Sequence, residues 1–196
     1  MFDDKAQLHT MEGVAAATLI LLVILYAIDA TSMTPLTSST SGVHMELELR
    51  SLGTGILNTL DYAEPGYRSK INYDISGWNG SRYVWNGEEY AGFVDDTEYL
   101  DNNLTGLLRA VLVNESIAHN LELVYITIQD NATNSARSKL IYNGDPSDNA
   151  VIVSRKIILH DGDINETSNP YNPIKDIDGA TNLWNIVDVN LILWRL

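Results

Sequence analysis

The chain has 196 residues with 26 acidic and 12 basic side chains, a formal net charge of −14. That balance excludes a nucleic-acid binder, because phosphate contacts need clustered Lys and Arg. It contains no cysteine, which excludes disulfides and thiolate metal sites, and its 45% hydrophobic content fits one modest folded domain better than a disordered tail.

From the N-terminus, the first feature is Gly13 to Ile28, GVAAATLILLVILYAI, sixteen residues without a formal charge. As a helix this run is roughly 24 Å long. Extended to Leu8 and to Ala30 or Met33, it approaches the roughly 30 Å hydrocarbon core of a bilayer. Glu12 and Asp29 then fall near its ends, where a charge costs far less than at the centre. A hydrophobic membrane-spanning helix is therefore expected over residues 7–33. Lys5 is the only basic side chain ahead of it, against Asp3 and Asp4, so flanking charge gives almost no orientation. Removal as an ordinary secretory signal fits less well, since there is no basic n-region and the cut after Ala30 follows a mediocre IDA.

Pro35 disfavours helix at the residue before it, so residues 34–42, rich in Ser and Thr, read as a polar hinge. Ser41 is placed to cap a second helix. Its apolar stripe is Met45, Leu49, Leu52, Ile56 and Leu60, and Pro65-Gly66 closes it. Gly53 and Gly55 each weaken that helix by about 1 kcal/mol relative to Ala.

Residues 67–95 read as strands and turns. Arg82 to Trp85, Asn86-Gly87 and Glu88 to Tyr90 form a hairpin pattern, because Asn-Gly supplies the positive φ angles of a type I′ turn. The aromatics Trp78, Tyr83, Trp85, Tyr90 and Phe93 suit a sugar-binding platform, but cross-strand packing accounts for them more simply. Asp95 with Glu98 suggests a capping box. Leu100, Leu104, Leu107, Leu108, Val111 and Leu112 then follow helical spacing to near His119.

A sheet should follow. Leu121 to Gln129 alternates with Val124, Ile126 and Ile128 on one face. Lys139 to Tyr142 is a short strand, Ala150 to His160 a strand pair or one bent strand, and 161–182 an acidic loop. Val187, Val189, Leu191 and Leu193 mark a closing half-buried strand. The order of elements is α+β rather than alternating α/β.

Site chemistry is sparse. His9, His44, His119 and His160 show no metal-ligand spacing. GxSxG, phosphate-loop and dinucleotide patterns are absent, so neither an enzyme nor a cofactor is expected. Asp161-Gly-Asp163-Ile-Asn165-Glu166 starts like a calcium loop but has Glu166 where Gly is needed and Asn172 where Glu is needed; a solvated acidic turn is expected. Sequons occur at Asn79, Asn103, Asn114, Asn131 and Asn165. Asn103 and Asn114 fall in a predicted helix, which leaves Asn79, Asn131 and Asn165 as the glycosylation candidates if the head is outside the cell.

Lys5-Ala6-Gln7, followed by the polar LHTMEG and the apolar run, resembles the class III signal of archaeal type IV pilins. The segments AQLHTMEGVAAATLILLVILYAIDATSMTPLTSSTS, DPSDNAVIVSRKIILHDGD and IVDVNLILWRL are similar to a pilin-like membrane protein family of haloarchaea that brings no assigned activity. The resemblance implies that a prepilin peptidase cuts between Ala6 and Gln7, so that residues 1–6 are a leader and the helix is kept. Pilins carry a Glu near mature position five that pairs with a neighbour's terminal amine; Glu12, the sixth residue from Gln7, is the assembly candidate. The expected protein is a single-pass membrane protein whose helix leads into an extracytoplasmic α+β head, residues 43–196, with an antiparallel sheet. It would be a subunit or accessory pseudopilin of a type IV pilus-like filament, with partners in its own copies or other pilin subunits, the prepilin peptidase and the membrane. The alternative is a membrane-anchored module recognising a sugar or surface partner.

Overall fold

The computed structural model describes residues 4–32, 35–129, 132–165, 167 and 169–195, with side chains described at 11–26 and from 42 onward within those ranges. Two compact units divide the chain, the first ending at Met45 and the second beginning at Glu46. Helix α1 is Asp4–Ser32 and α2 is Pro35–Asp61. There follow α3 (Lys70–Ser76), β1 (Tyr83–Trp85), β2 (Tyr90–Gly92) and α4 (Asn103–Leu108), which runs on into a π-helical turn, Arg109–Val113. The chain closes with β3 (Ile117–Gln129), β4 (Ala132–Tyr142), β5 (Val151–His160), a 3-10 turn (Asp161–Asp163) and β6 (Leu183–Arg195).

The expected membrane-spanning helix is corrected. Among the described residues, no helix is long and apolar enough to cross a membrane. Glu12 and Asp29 bound the uncharged part of α1 at sixteen residues, roughly 24 Å against a hydrocarbon core of about 30 Å. The expected antiparallel sheet is also corrected. The second unit holds a six-stranded mixed sheet in the order β2-β1-β4-β3-β6-β5. Its neighbours are antiparallel except β1 and β4, which meet in parallel at Tyr83 and Ile141.

Register explains which face is the core. Leu121, Leu191 and Val153 lie side by side, as do Tyr125, Val187 and Ile157. These rows are buried and share one apolar cluster with Leu49, Ile56, Leu57 and Leu60 of α2, Ile71 and Ile75 of α3, and Leu104, Leu108 and Leu112. The helices therefore cover one face of the sheet. The alternate rows, such as Val124, Asp188 and Lys156, look the other way. In β3 it is thus Leu121, Leu123 and Tyr125 that enter the core, while on the face shared by Val124, Ile126 and Ile128 the first two are half-buried and Ile128 is exposed.

Other elements depart from the sequence pattern for identifiable reasons. Helix α2 starts at Pro35 rather than at the expected Ser41 cap; a proline suits the first helical position because its φ is already helical. Met45 is exposed, and the buried stripe of α2 is Leu49, Gly53, Ile56, Leu57 and Leu60. Helix α3 stands where strands and turns were expected. Its seven residues are too few for a helix stable by itself, and tertiary contacts hold it. Asn72 Nδ2 donates to Ile158 O at 3.0 Å and to Asp163 Oδ2 at 3.1 Å, and Arg68 Nε lies 2.9 Å from Asp163 Oδ1. Asp74 then accepts from Leu104 N at 2.7 Å and Asn103 Nδ2 at 3.2 Å, tying α3 to the start of α4. Burial pushes the Asp74 carboxyl above the usual range, with the Leu104 N–H pulling the other way. The cap of α4 is Asn102 with Thr105, not Asp95 with Glu98, and the helical segment ends at Val113, so His119 lies in a strand.

The hairpin loop has four residues, Asn86 to Glu89, since Trp85 pairs with Tyr90. The Asn86 side chain accepts from both Glu88 N and Glu89 N at 2.9 Å. Strand β4 begins seven residues before the expected Lys139, in the polar stretch from Ala132 that pairs with β3. Residues 151–160 form one strand.

Gly53 is where α2 meets the sheet. A Cβ at this position would lie 2.6 Å from Val153 Cγ2 and 2.9 Å from Leu193 Cδ1, whereas one at Gly55 would meet nothing within 4 Å. Arg155 secures the same contact, its Nη2 2.6 Å from Asp61 Oδ2 and its Nη1 3.2 Å from Asn58 Oδ1. We expect Gly53→Ala to lose about 1–3 kcal/mol by overpacking and Gly55→Ala to gain about 1 kcal/mol from helix propensity. Opposite shifts in the urea midpoint of the two variants would check this.

Candidate functional site

Two surfaces and one pocket are candidates. The first surface is α1, where every described side chain from Met11 to Tyr26 is exposed. It is apolar on all sides: Leu19 is 63% exposed, Val23 64% and Tyr26 77%. Thr18 turns its hydroxyl back onto Val14 O at 2.8 Å, so this interior hydroxyl is satisfied within the helix. A helix that is apolar all round calls for an apolar partner. Glu12 lies exposed immediately before the run. Lys5, Ala6 and Gln7 fall in the first turns of α1, and their side chains lie outside the described residues.

The aromatic hairpin is the second surface, and most of it serves the core. Trp78, Tyr83 and Tyr90 are buried, and Trp78 Nε1 donates to Ser81 O at 2.7 Å. Glu98, expected to cap a helix, instead gathers the loop: Asn79 Nδ2 donates to it at 2.7 Å, Tyr83 OH at 2.8 Å and Ser81 Oγ at 3.2 Å. Hydrogen bonds from Asn79, then Tyr83, hold the Glu98 carboxyl below its usual range. Burial, reinforced by Glu98, pushes the Tyr83 hydroxyl up to about 12. Gly92 permits this fold-back, since a side chain there would run into the Asp95 carbonyl. The carboxamide nitrogen of Asn79 is thus committed to Glu98. Phe93 is exposed, with the Arg82 guanidinium 3.4 Å from its ring centroid.

Trp85 belongs to a different place. At the end of the sheet where β3 enters and β4 and β6 leave, residues including Trp85, Trp194, Ser116, His119, Asn143 and Asp145 line a pocket of about 410 Å³. Carboxamides brace it. Asn143 accepts from Trp85 N at 2.8 Å and donates to His119 O at 2.7 Å, while its own N–H donates to Asn120 Oδ1 at 2.8 Å. Asn120 Nδ2 donates to Gly144 O at 2.8 Å. Asp145 accepts from Tyr142 OH. Ser116, with φ 55°, is the single non-glycine residue at positive φ among the described residues.

Beneath the pocket His119 Nε2 is 2.7 Å from Tyr90 OH, and Nδ1 is 3.3 Å from Ile117 O. Burial lowers the His119 pKa and raises that of Tyr90. Both groups are therefore neutral near pH 7, with Tyr90 donating to Nε2 and Nδ1 donating to the carbonyl. Neither ring nitrogen is left for acid–base work. The sequence pattern points to the Asn143–Asp145 turn but not to its meeting with Ser116 and Trp194, which only strand pairing arranges.

The remaining candidates divide. Asn165 is exposed and its Oδ1 accepts from Thr167 N at 3.1 Å; Asn131 lies outside the described residues. In the acidic segment, Asp163 is engaged by Arg68 and accepts from His160 N at 2.9 Å, so a cation there would compete with a guanidinium. Among the described residues no group of three or more His, Asp or Glu side chains is placed to hold a metal ion.

His119 carries a pH signature. Its folded-state pKa is depressed, so its contribution is full above the ordinary value near 6.5 and is lost as pH falls below it, when only the unfolded chain takes the proton. Urea unfolding should show stability falling from this group as pH is lowered from 7.5 to 5.5, and His119→Gln should flatten that difference.

No curated protein and no solved structure matches the chain. The model of a family of unknown function, DUF7288, matches residues 5–193. Spanning nearly its whole length, that match makes this chain a member of the DUF7288 family.

Proposed function

We propose that this protein is a pilin-like structural subunit, or an accessory pseudopilin, of an archaeal type IV pilus-like filament, assembled by packing α1 against α1 of other copies. The observation that carries this reading is the exposure of α1 along its whole apolar run from Gly13 to Tyr26. Contact with like helices removes that surface from water at about 25 cal/mol per Å². Gly13 and Ala15 to Ala17 keep side chains small at one end, where helix axes can approach closely. The resemblance of residues 5–28 to pilin signals supplies the rest: cleavage between Ala6 and Gln7 by a prepilin peptidase, and Glu12 as the partner of a neighbouring terminal amine. The second unit would then be the part displayed outside the cell.

Full-length protein in its native host should appear as filaments in sheared surface fractions under electron microscopy, with an intact mass starting at Gln7. Ala6→Asp should leave the Met1 form uncut. Leu22→Asp should abolish filaments while the main thermal transition stays within about 2 °C of wild type, because α1 lies outside the second unit's core. Retention of Met1 in the native protein together with no filaments would overturn the assignment.

A further inference from the structure

The structure assigns a ligand site to the pocket at the sheet end, and we propose that it takes a neutral saccharide, its pyranose ring against the indole of Trp85 and its hydroxyls on Asp145 and Ser116. The pocket lies within the second unit, so binding there is independent of assembly through α1.

Three observations converge on that chemistry. The first is the lining. At about 410 Å³ the pocket is within the range of small-ligand sites, which combine mostly apolar walls with a few placed polar groups. The half-buried indole of Trp85 supplies apolar surface for the C–H face of a sugar above the buried Trp194, while a carboxylate and a hydroxyl supply partners for its O–H groups. The second is preorganisation. Asn143 and Asn120 spend their carboxamides on backbone groups beneath the pocket, so the walls are set before a ligand arrives. Ser116 holds a backbone conformation that costs a non-glycine residue free energy, and strain of this kind clusters at ligand sites.

The third is charge. A net charge of −14 and the Asp145 carboxylate disfavour an anion. A cation is disfavoured by the basic groups already nearby: Lys139 Nζ lies 3.8 Å from the ring centroid of Tyr142, whose hydroxyl donates to Asp145, and the Arg82 guanidinium is 5.9 Å from the same ring. A neutral ligand rich in hydroxyl donors remains. The site binds without cleaving, because glycoside hydrolysis needs two carboxyl groups flanking the bond. Asp145 is the one acid in the lining among the described residues, and His119 is committed on both ring nitrogens.

The test uses the full-length protein and four probes, glucose, mannose, galactose and N-acetylglucosamine, with their short oligomers. Tryptophan emission and saturation-transfer NMR follow binding. A saturable response to at least one of these sugars is expected, with Asp145→Asn weakening it about tenfold and Trp85→Ala removing it. Asp145→Asn is a surface change that leaves the fold intact, so it tests the site even if Trp85→Ala alters the hairpin. No saturable response to any of the sugars, undiminished affinity in both variants, or saturable binding of choline in place of sugar would each overturn the proposal.

Discussion

The close approach of α2 to the sheet at Gly53 is the constraint on which the second unit depends. With Val153 and Leu193 directly under that glycine, the helix backbone comes down onto β5 and β6, and Leu49, Ile56, Leu57 and Leu60 reach the rows formed by Leu121, Leu191 and Val153. A side chain at 53 would hold the helix off and open space around its neighbours. The helical propensity lost at this glycine is offset by the contact it permits.

Carboxamides do the work that regular hydrogen bonding leaves undone. Asn185, fully buried, uses its Oδ1 and Nδ2 on the N–H and C=O of Ile126 and so continues the ladder past the last β3–β6 pair. Asn172 donates to Ser76 O and accepts from Ile174 N, anchoring the long acidic loop to the end of α3. Asn72 fixes α3 to β5, and Asn143 with Asn120 fixes the sheet end. A neutral amide can satisfy a buried donor and a buried acceptor together without burying a charge, which suits a small domain with no cysteine to form disulfides across its loops.

The two units pose different physical problems. The second closes around its own core and keeps its apolar surface largely inside. The first carries an apolar run with no partner described within the chain. The proposed assembly and the proposed recognition are thus separable: one rests on the exposed apolar helix α1, the other on a pocket whose walls are braced from beneath. Membership of the DUF7288 family covers both.

Local pattern determined those elements whose burial repeats with the period of their own backbone. The alternation of Val187, Val189, Leu191 and Leu193 produced a central strand, the spacing of Leu104, Leu108 and Leu112 produced a helical face, and the uncharged run in α1 produced an apolar helix. Tertiary structure decided the rest, because the deciding energies come from residues distant in sequence. Helix α3 exists through Asn72 and Asp74 contacts more than 25 residues away. The polar residues from Ala132 became strand because β3 offered a ladder. Leu123 rather than Val124 entered the core because pairing with β6 chose the face. The aromatic pattern exposed the hairpin, but Trp85 met Trp194 and Asp145 only once three strand ends converged. Periodicity is a property of one segment, whereas a face, a cap from another helix or a pocket is a property of several, and no segment encodes its partner's position.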